Sequence, residues 1–293
     1  MICYQQERFA AILTPLSLKI IGRRSLNMNK SLSITMNQAK EMFAKVPEIT
    51  LYFWITKLLT TGMGEVASDY LFENLNPLIS APLSVLIFVA AMILQFKVRR
   101  YIPKVYWLVV IMVSIFGTMA ADVVRVGLGI PYIVSTIFFI VALAVVLIAW
   151  YSKEKTLSVH SIFTRRREIF YWITVLVTFA LGTAAGDMTA SSMHLGYFSS
   201  GLLFTFLLVI PALGYRLFGL NEIFAFWFAY IMTRPVGASF SDWLAASHSH
   251  GGLGIDKGIV SLVLLIFIIL LVIFRGGSPA KGVEFNDEKE RAS

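Results

Sequence analysis

A chain of 293 residues that is 57% hydrophobic and only 14% charged cannot shield a soluble core of its own size, since ordinary soluble domains carry roughly 25% charged residues. The mean hydropathy of +0.76 leaves a polytopic membrane protein as the class. The net charge of +8 does not point to nucleic acid, because the basic residues gather in short loops between apolar runs and no groove-reading motif is present. The single cysteine, Cys3, excludes an intrachain disulfide, a Cys-ligated zinc site and a CxxC redox pair.

In chain order, the first 45 residues are an N-terminal extension expected to be poorly ordered. Its run "FAAILTPLSLKII" is too short and too interrupted to span a bilayer. Arg23 and Arg24 follow it where a signal peptide would place small residues. It reads as a surface-lying helix, or as a non-native extension with translation starting at Met28 or Met36. Eight apolar segments follow, over 49–68, 77–96, 104–124, 130–150, 169–189, 196–214, 222–242 and 258–274. Each is near the length that crosses a bilayer. The even-numbered segments carry no charge, and the odd-numbered ones carry every charge placed inside the membrane. The tail 276–293 is polar and expected to be disordered.

Loop charge sets the expected topology. Loops 97–104 and 151–168, with Arg216, Arg275 and Lys281, hold twelve Lys and Arg residues, while the alternate loops hold only Arg125 and Lys257. By the positive-inside rule both termini face the cytoplasm, and the protein is a multi-pass protein of the inner (plasma) membrane.

The four charged segments share one pattern. Trp54, Trp107, Trp172 and Trp227 each precede an aspartate by 15 residues: Asp69, Asp122, Asp187 and Asp242. A glycine lies five residues before each Asp, at Gly64, Gly117, Gly182 and Gly237. W-x9-G-x4-D thus occurs four times, once per pair of segments. An even number of crossings per unit gives every copy the same orientation. The expected fold is all-α: eight transmembrane helices as four parallel hairpin repeats, over about 46–97, 101–151, 167–216 and 221–274, around a pseudo-fourfold or two-plus-two axis. Ionisable side chains avoid lipid, so the charged helices should face inward.

"KVPEITLYFWITKLLTTGMGE", "YWITVLVTFALGTAAGD" and "FWFAYIMTRPVGASFSDWL" resemble a family of bacterial inner-membrane proteins known as uncharacterised membrane-anchored proteins. That family is described as four tandem two-helix repeats of unknown function centred on a tryptophan. The resemblance runs over 45–274 and implies the fold class, but no activity.

Each repeated residue has a plain reading and a sharper one. The tryptophans are expected to anchor the helices at the membrane interface, or alternatively to pack between repeats. The glycines allow close helix approach, or mark an unwound stretch that exposes carbonyls to an ion. The aspartates form either a cation or proton site or a structural polar network. Two repeats depart from symmetry. In the first, Lys57, Thr61, Glu65 and Asp69 make one polar stripe at i, i+4 steps, and Lys57 calls for an acidic partner such as Glu65. In the fourth, Arg234 precedes Pro235, which removes the helical donor for the Ile231 carbonyl. A metal site is undetermined: His194, His248 and His250 lie in loops on one side, and His160 on the other. No cofactor motif and no catalytic motif appears, and an enzyme is not expected.

The function expected is a small-solute transporter or exporter, coupled to a cation or to protons. Asp69, Asp122, Asp187, Asp242 and Glu65 would line the path, with Lys57 and Arg234 as counter-charges. The alternative is a non-transporting scaffold or stress-response protein, and a remote one is an intramembrane metal-dependent enzyme. The expected partners are the lipid bilayer and a small cation or proton. Oligomeric state is not legible.

Overall fold

The computed structural model describes residues 44–276. The extension 1–43 and the tail 277–293, with the readings made of them, lie outside the described residues, and the folded unit begins at Lys45. Eight α-helices follow: α1 (Leu51–Asn74), α2 (Pro77–Lys97), α3 (Pro103–Asp122), α4 (Tyr132–Glu154), α5 (Arg165–Asp187), α6 (Gly196–Phe218), α7 (Glu222–Ala245) and α8 (Lys257–Gly276). There is no strand among the described residues.

Local sequence explains the helix ends. Thr50 and Thr164 cap α1 and α5 by accepting from Phe53 N and Arg167 N. Asn221 Oδ1 caps α7 by accepting from Ile223 N and Phe224 N. Pro103 opens α3, where a missing N–H costs nothing. Gly219 closes α6 in the left-handed region that favours glycine.

Six helices, all but α1 and α7, contain a stretch long and apolar enough to cross a membrane. The odd-numbered helices form an inner ring, in which α1 packs on α3, α3 on α5, α5 on α7 and α7 back on α1. The even-numbered helices lie outside it. In α2, α6 and α8 only 17% of the most apolar window is buried, against 67% in α5, so the apolar helices present most of their surface outward. This is the arrangement lipid demands, because inward charge avoids hydrocarbon while outward Leu, Ile and Phe are at home in it.

The packing partners differ from the expected hairpins. Each outer helix packs on the inner helix of the next repeat: α2 on α3, α4 on α5, α6 on α7, and α8 on α1 to close the circle. Phe88 of α2 stacks on Phe116 of α3 at 4.7 Å, and Trp150 of α4 on Phe170 of α5 at 6.2 Å. The connections on either side of an outer helix are all short, so both neighbours are within reach of the chain. Side-chain fit against the inner helix decides between them.

The glycines account for the ring's tightness. A Cβ on Gly64 would strike Ser114, one on Gly117 would lie 2.6 Å from Phe179 Cβ, one on Gly182 would strike Arg234, and one on Gly237 would strike Thr61. Each glycine therefore seats the residue seven after the tryptophan of the next repeat, and the fourth step returns to the first. All four lie in unbroken α-helix, so close approach rather than unwinding is their use. Irregular backbone comes later, as π-helical turns at Val123–Gly127 and Met188–Ser192 directly after Asp122 and Asp187.

Candidate functional site

Because the inner helices run side by side in one register, residues at equal offset from the tryptophans form layers along the ring axis, about 6 Å apart for each four residues. The first layer is an aromatic plug. Phe53, Tyr106, Tyr171 and Phe226 precede the four tryptophans, and the Tyr106 and Tyr171 hydroxyls bond at 2.5 Å. Trp107, Trp172 and Trp227 are buried in this plug, and Trp54 is half-buried against Phe53 and Phe226. All four therefore pack against neighbouring rings. Trp227 Nε1 also donates to Leu157 O at 2.9 Å, tying α7 to the loop before α5.

Lys57 lies one layer deeper and is buried. The acidic partner expected for it is absent among the described residues. Its Nζ stands 4.2 Å from the Phe179 ring centre and 4.1 Å from that of Tyr230, with no hydrogen-bond partner. Two aromatic faces attract a cation but do not replace its hydration in full.

Glu65 is taken instead by Arg234, which is fully buried. Arg234 Nη2 donates to Glu65 Oε2, to Thr118 Oγ1 and, at 2.9 Å, to Thr183 Oγ1. Its Nη1 donates to Thr61 O at 2.6 Å, and its Nε to Phe179 O at 3.4 Å. One guanidinium from α7 thus binds α1, α3 and α5 together. Thr118 and Thr183 donate to the same Glu65 oxygen, at 3.0 and 3.1 Å. Their part was missed in the sequence, although both stand at Glu65's own offset, eleven residues after a tryptophan.

The aspartates form the outermost layer, each half-buried and close enough to feel the Glu65 charge. They are not equivalent. Asp69 accepts from Lys257 Nζ at 2.8 Å, and Glu73 shares that amine at 2.6 Å. Asp122 has no ion pair among the described residues, but Arg125 lies within its electrostatic reach while resting on the Tyr132 ring. Asp187 and Asp242 have no ion-pair partner among the described residues either, with Arg125 in electrostatic reach of Asp187 and Lys257 of Asp242. With Glu65 they bring one carboxylate oxygen each within 4.8 Å of one another. No histidine joins such a group among the described residues. His248 Nδ1 instead pairs with Gly252 O at 3.0 Å, and His250 Nδ1 with Ser247 Oγ at 2.9 Å.

The axis therefore runs from a closed aromatic end, past a buried Lys and a Glu–Arg pair, to an acidic vestibule. Carboxyls gathered at one end of a helix ring can attract cations and hold exchangeable protons. No curated protein and no solved structure matches the chain. The family described as Repeat of Unknown Function (DUF347) matches it four times, over residues 52–101, 105–156, 170–218 and 225–275. Those four matches cover most of the chain and each contains one Trp–Gly–Asp helix with its following apolar helix, so the chain is a membrane protein that belongs to the DUF347 repeat family.

Proposed function

We propose that this protein is a small-solute transporter of the inner membrane, coupled to a cation or to protons. All eight helices cross the bilayer in this reading, with both termini cytoplasmic. At 24 residues each, α1 and α7 extend about 36 Å, enough for a hydrocarbon core of about 30 Å. Their charges are tolerated because the ring encloses them. The observation that carries the reading is the Glu65–Arg234 pair at the floor of a vestibule whose Asp187 and Asp242 form no ion pair among the described residues. A charge that serves only to fix helix register is neutralised where it sits. These two are left available to an incoming cation or proton, which then competes with Arg234 for Glu65. The aromatic plug closes the opposite end, as one state of an alternating pathway requires. No catalytic step is proposed.

The test is cation- and proton-driven flux in proteoliposomes. Asp187→Asn and Asp242→Asn should abolish flux while leaving the folded fraction intact, and full flux in both variants would refute the reading. A scaffold is the second reading, favoured by Arg234 binding the three other inner helices at once. It predicts lost thermal stability in the same variants and no ion-dependent behaviour in the parent.

A further inference from the structure

The three acids at the vestibule floor differ in what already neutralises them. Glu65 carries its own cation, and the bonds from Arg234, Thr118 and Thr183 all end on its Oε2. Its Oε1 is the oxygen left for a ligand. Asp187 and Asp242 form no ion pair among the described residues, so the group as a whole holds two carboxyls without a paired base. Asp69 does not add to this, since Lys257 holds it.

Spacing narrows the occupant. The three oxygens lie within 4.8 Å of one another. Two oxygens on opposite sides of a calcium-sized ion stand about 4.6–5.2 Å apart, and around magnesium about 4.0–4.2 Å. That bound admits either ion, calcium accepts an irregular set of ligands that magnesium does not, and a hard, all-oxygen site suits calcium, manganese or magnesium rather than a thiophilic metal.

A buried, unpartnered hydroxyl lies beside this group. Ser239 is buried at 1% exposure, and its Oγ has no hydrogen-bond partner among the described residues. It stands three residues before Asp242, on the same face of α7. Its hydroxyl points across to α5, lying 3.7 Å from where a Cβ on Gly186 would be, beside Asp187. A buried hydroxyl lacking a partner costs free energy that a bound cation would return.

We propose that Glu65, Asp187, Asp242 and Ser239 form a binding site for one divalent cation of the hard, oxygen-preferring class. The ion's two positive charges match these two carboxyls once both have released their protons. The site rests on the vestibule described above, and it deepens the transport reading by naming the class of ion at its floor.

The probe is Mn2+, followed by electron paramagnetic resonance on the full chain purified in detergent, with Ca2+ and Mg2+ as competitors. One Mn2+ per chain should bind saturably, and Ca2+ should displace it at lower concentration than Mg2+. Asp187→Asn and Asp242→Asn should each weaken binding at least tenfold, and Ser239→Ala severalfold. Glu222→Gln, at the opposite end of α7 from Asp242, should leave binding unchanged. Size-exclusion elution and thermal melting identify any variant that has failed to fold, and Ser239→Ala, which removes a single unpartnered hydroxyl, still reads the site should both Asn variants fail. Absence of saturable binding by the parent chain, or undiminished binding in folded Asp187→Asn and Asp242→Asn, would overturn the site. Binding without flux would leave the site standing and refute transport. Flux of protons or monovalent ions without Mn2+ binding would do the reverse.

Discussion

Replacing Arg234 by methionine removes a side chain that binds all three other inner helices. Of its five bonds, two go to the Thr61 and Phe179 carbonyls, at 2.6 and 3.4 Å. Those carbonyls sit in helices where backbone donors already serve them, so their loss costs little. The bonds to Thr118 and Thr183 are interhelical contacts of the ordinary kind, worth about 0.6 kcal/mol on average in membranes. The large effect is on Glu65, which would remain buried at 3% exposure with only two hydroxyl donors. Breaking a buried ion pair from one side costs ~3–5 kcal/mol. Glu65 can take up a proton and so limit the loss, which places Arg234→Met near ~3 kcal/mol. In Glu65→Gln/Arg234→Met the neutral amide still accepts from both threonines, and the net loss should fall to ~1 kcal/mol. The assay is equilibrium unfolding in mixed detergent micelles for the parent, both single variants and the double. A coupling energy of at least ~2 kcal/mol is expected. A double variant as unstable as the sum of its singles would refute the account, because the pair would then contribute nothing as a pair.

Three further outcomes follow from the same geometry. Gly117→Ala and Gly237→Ala should each lose ~1–3 kcal/mol by overpacking, because the new Cβ would lie 2.6 Å from Phe179 Cβ and 2.9 Å from Gly62 N respectively. Gly127→Ala, whose Cβ meets only Val123 Cγ1 at 3.7 Å, should melt like the parent, and equal losses at all three would count against the ring. Lys57→Met should melt no lower than the parent, since the amine has no hydrogen-bond partner and a thioether packs well between two aromatic rings. A marked drop in its melting temperature would show that the ammonium contributes stability through the rings alone. For topology, cysteines placed at Ser249 and at Ser152 in a Cys3→Ser background should react from opposite faces of sealed vesicles, Ser249→Cys from the outside. Labelling of both from one face would refute the orientation.

Much of this protein is legible from sequence because a helix converts residue number into height. The offset from each tryptophan places Gly64 against the same step as Gly117, Gly182 and Gly237, and puts the four aspartates in one layer. The cost of charge in hydrocarbon then turns the odd-numbered helices inward. What height leaves open is direction around the ring and the partner met there. Lys57 and Glu65 share a stripe on α1, yet Lys57 faces the rings of Phe179 and Tyr230 while Glu65 goes to Arg234 on α7. Arg234 stands one layer away from Glu65 by offset, and only its long side chain, laid over Gly182, closes that gap. Lys257, a loop residue by sequence, holds Asp69 and so separates it from Asp187 and Asp242. Short connections allowed each outer helix either of two inner neighbours, and side-chain fit chose the next repeat over its own. The sequence by itself determined the number of repeats, their internal heights and which helices carry charge inward. The tertiary structure alone decided which acids are paired with a base and which come together without one, because that depends on distances across helices that no spacing along one chain encodes.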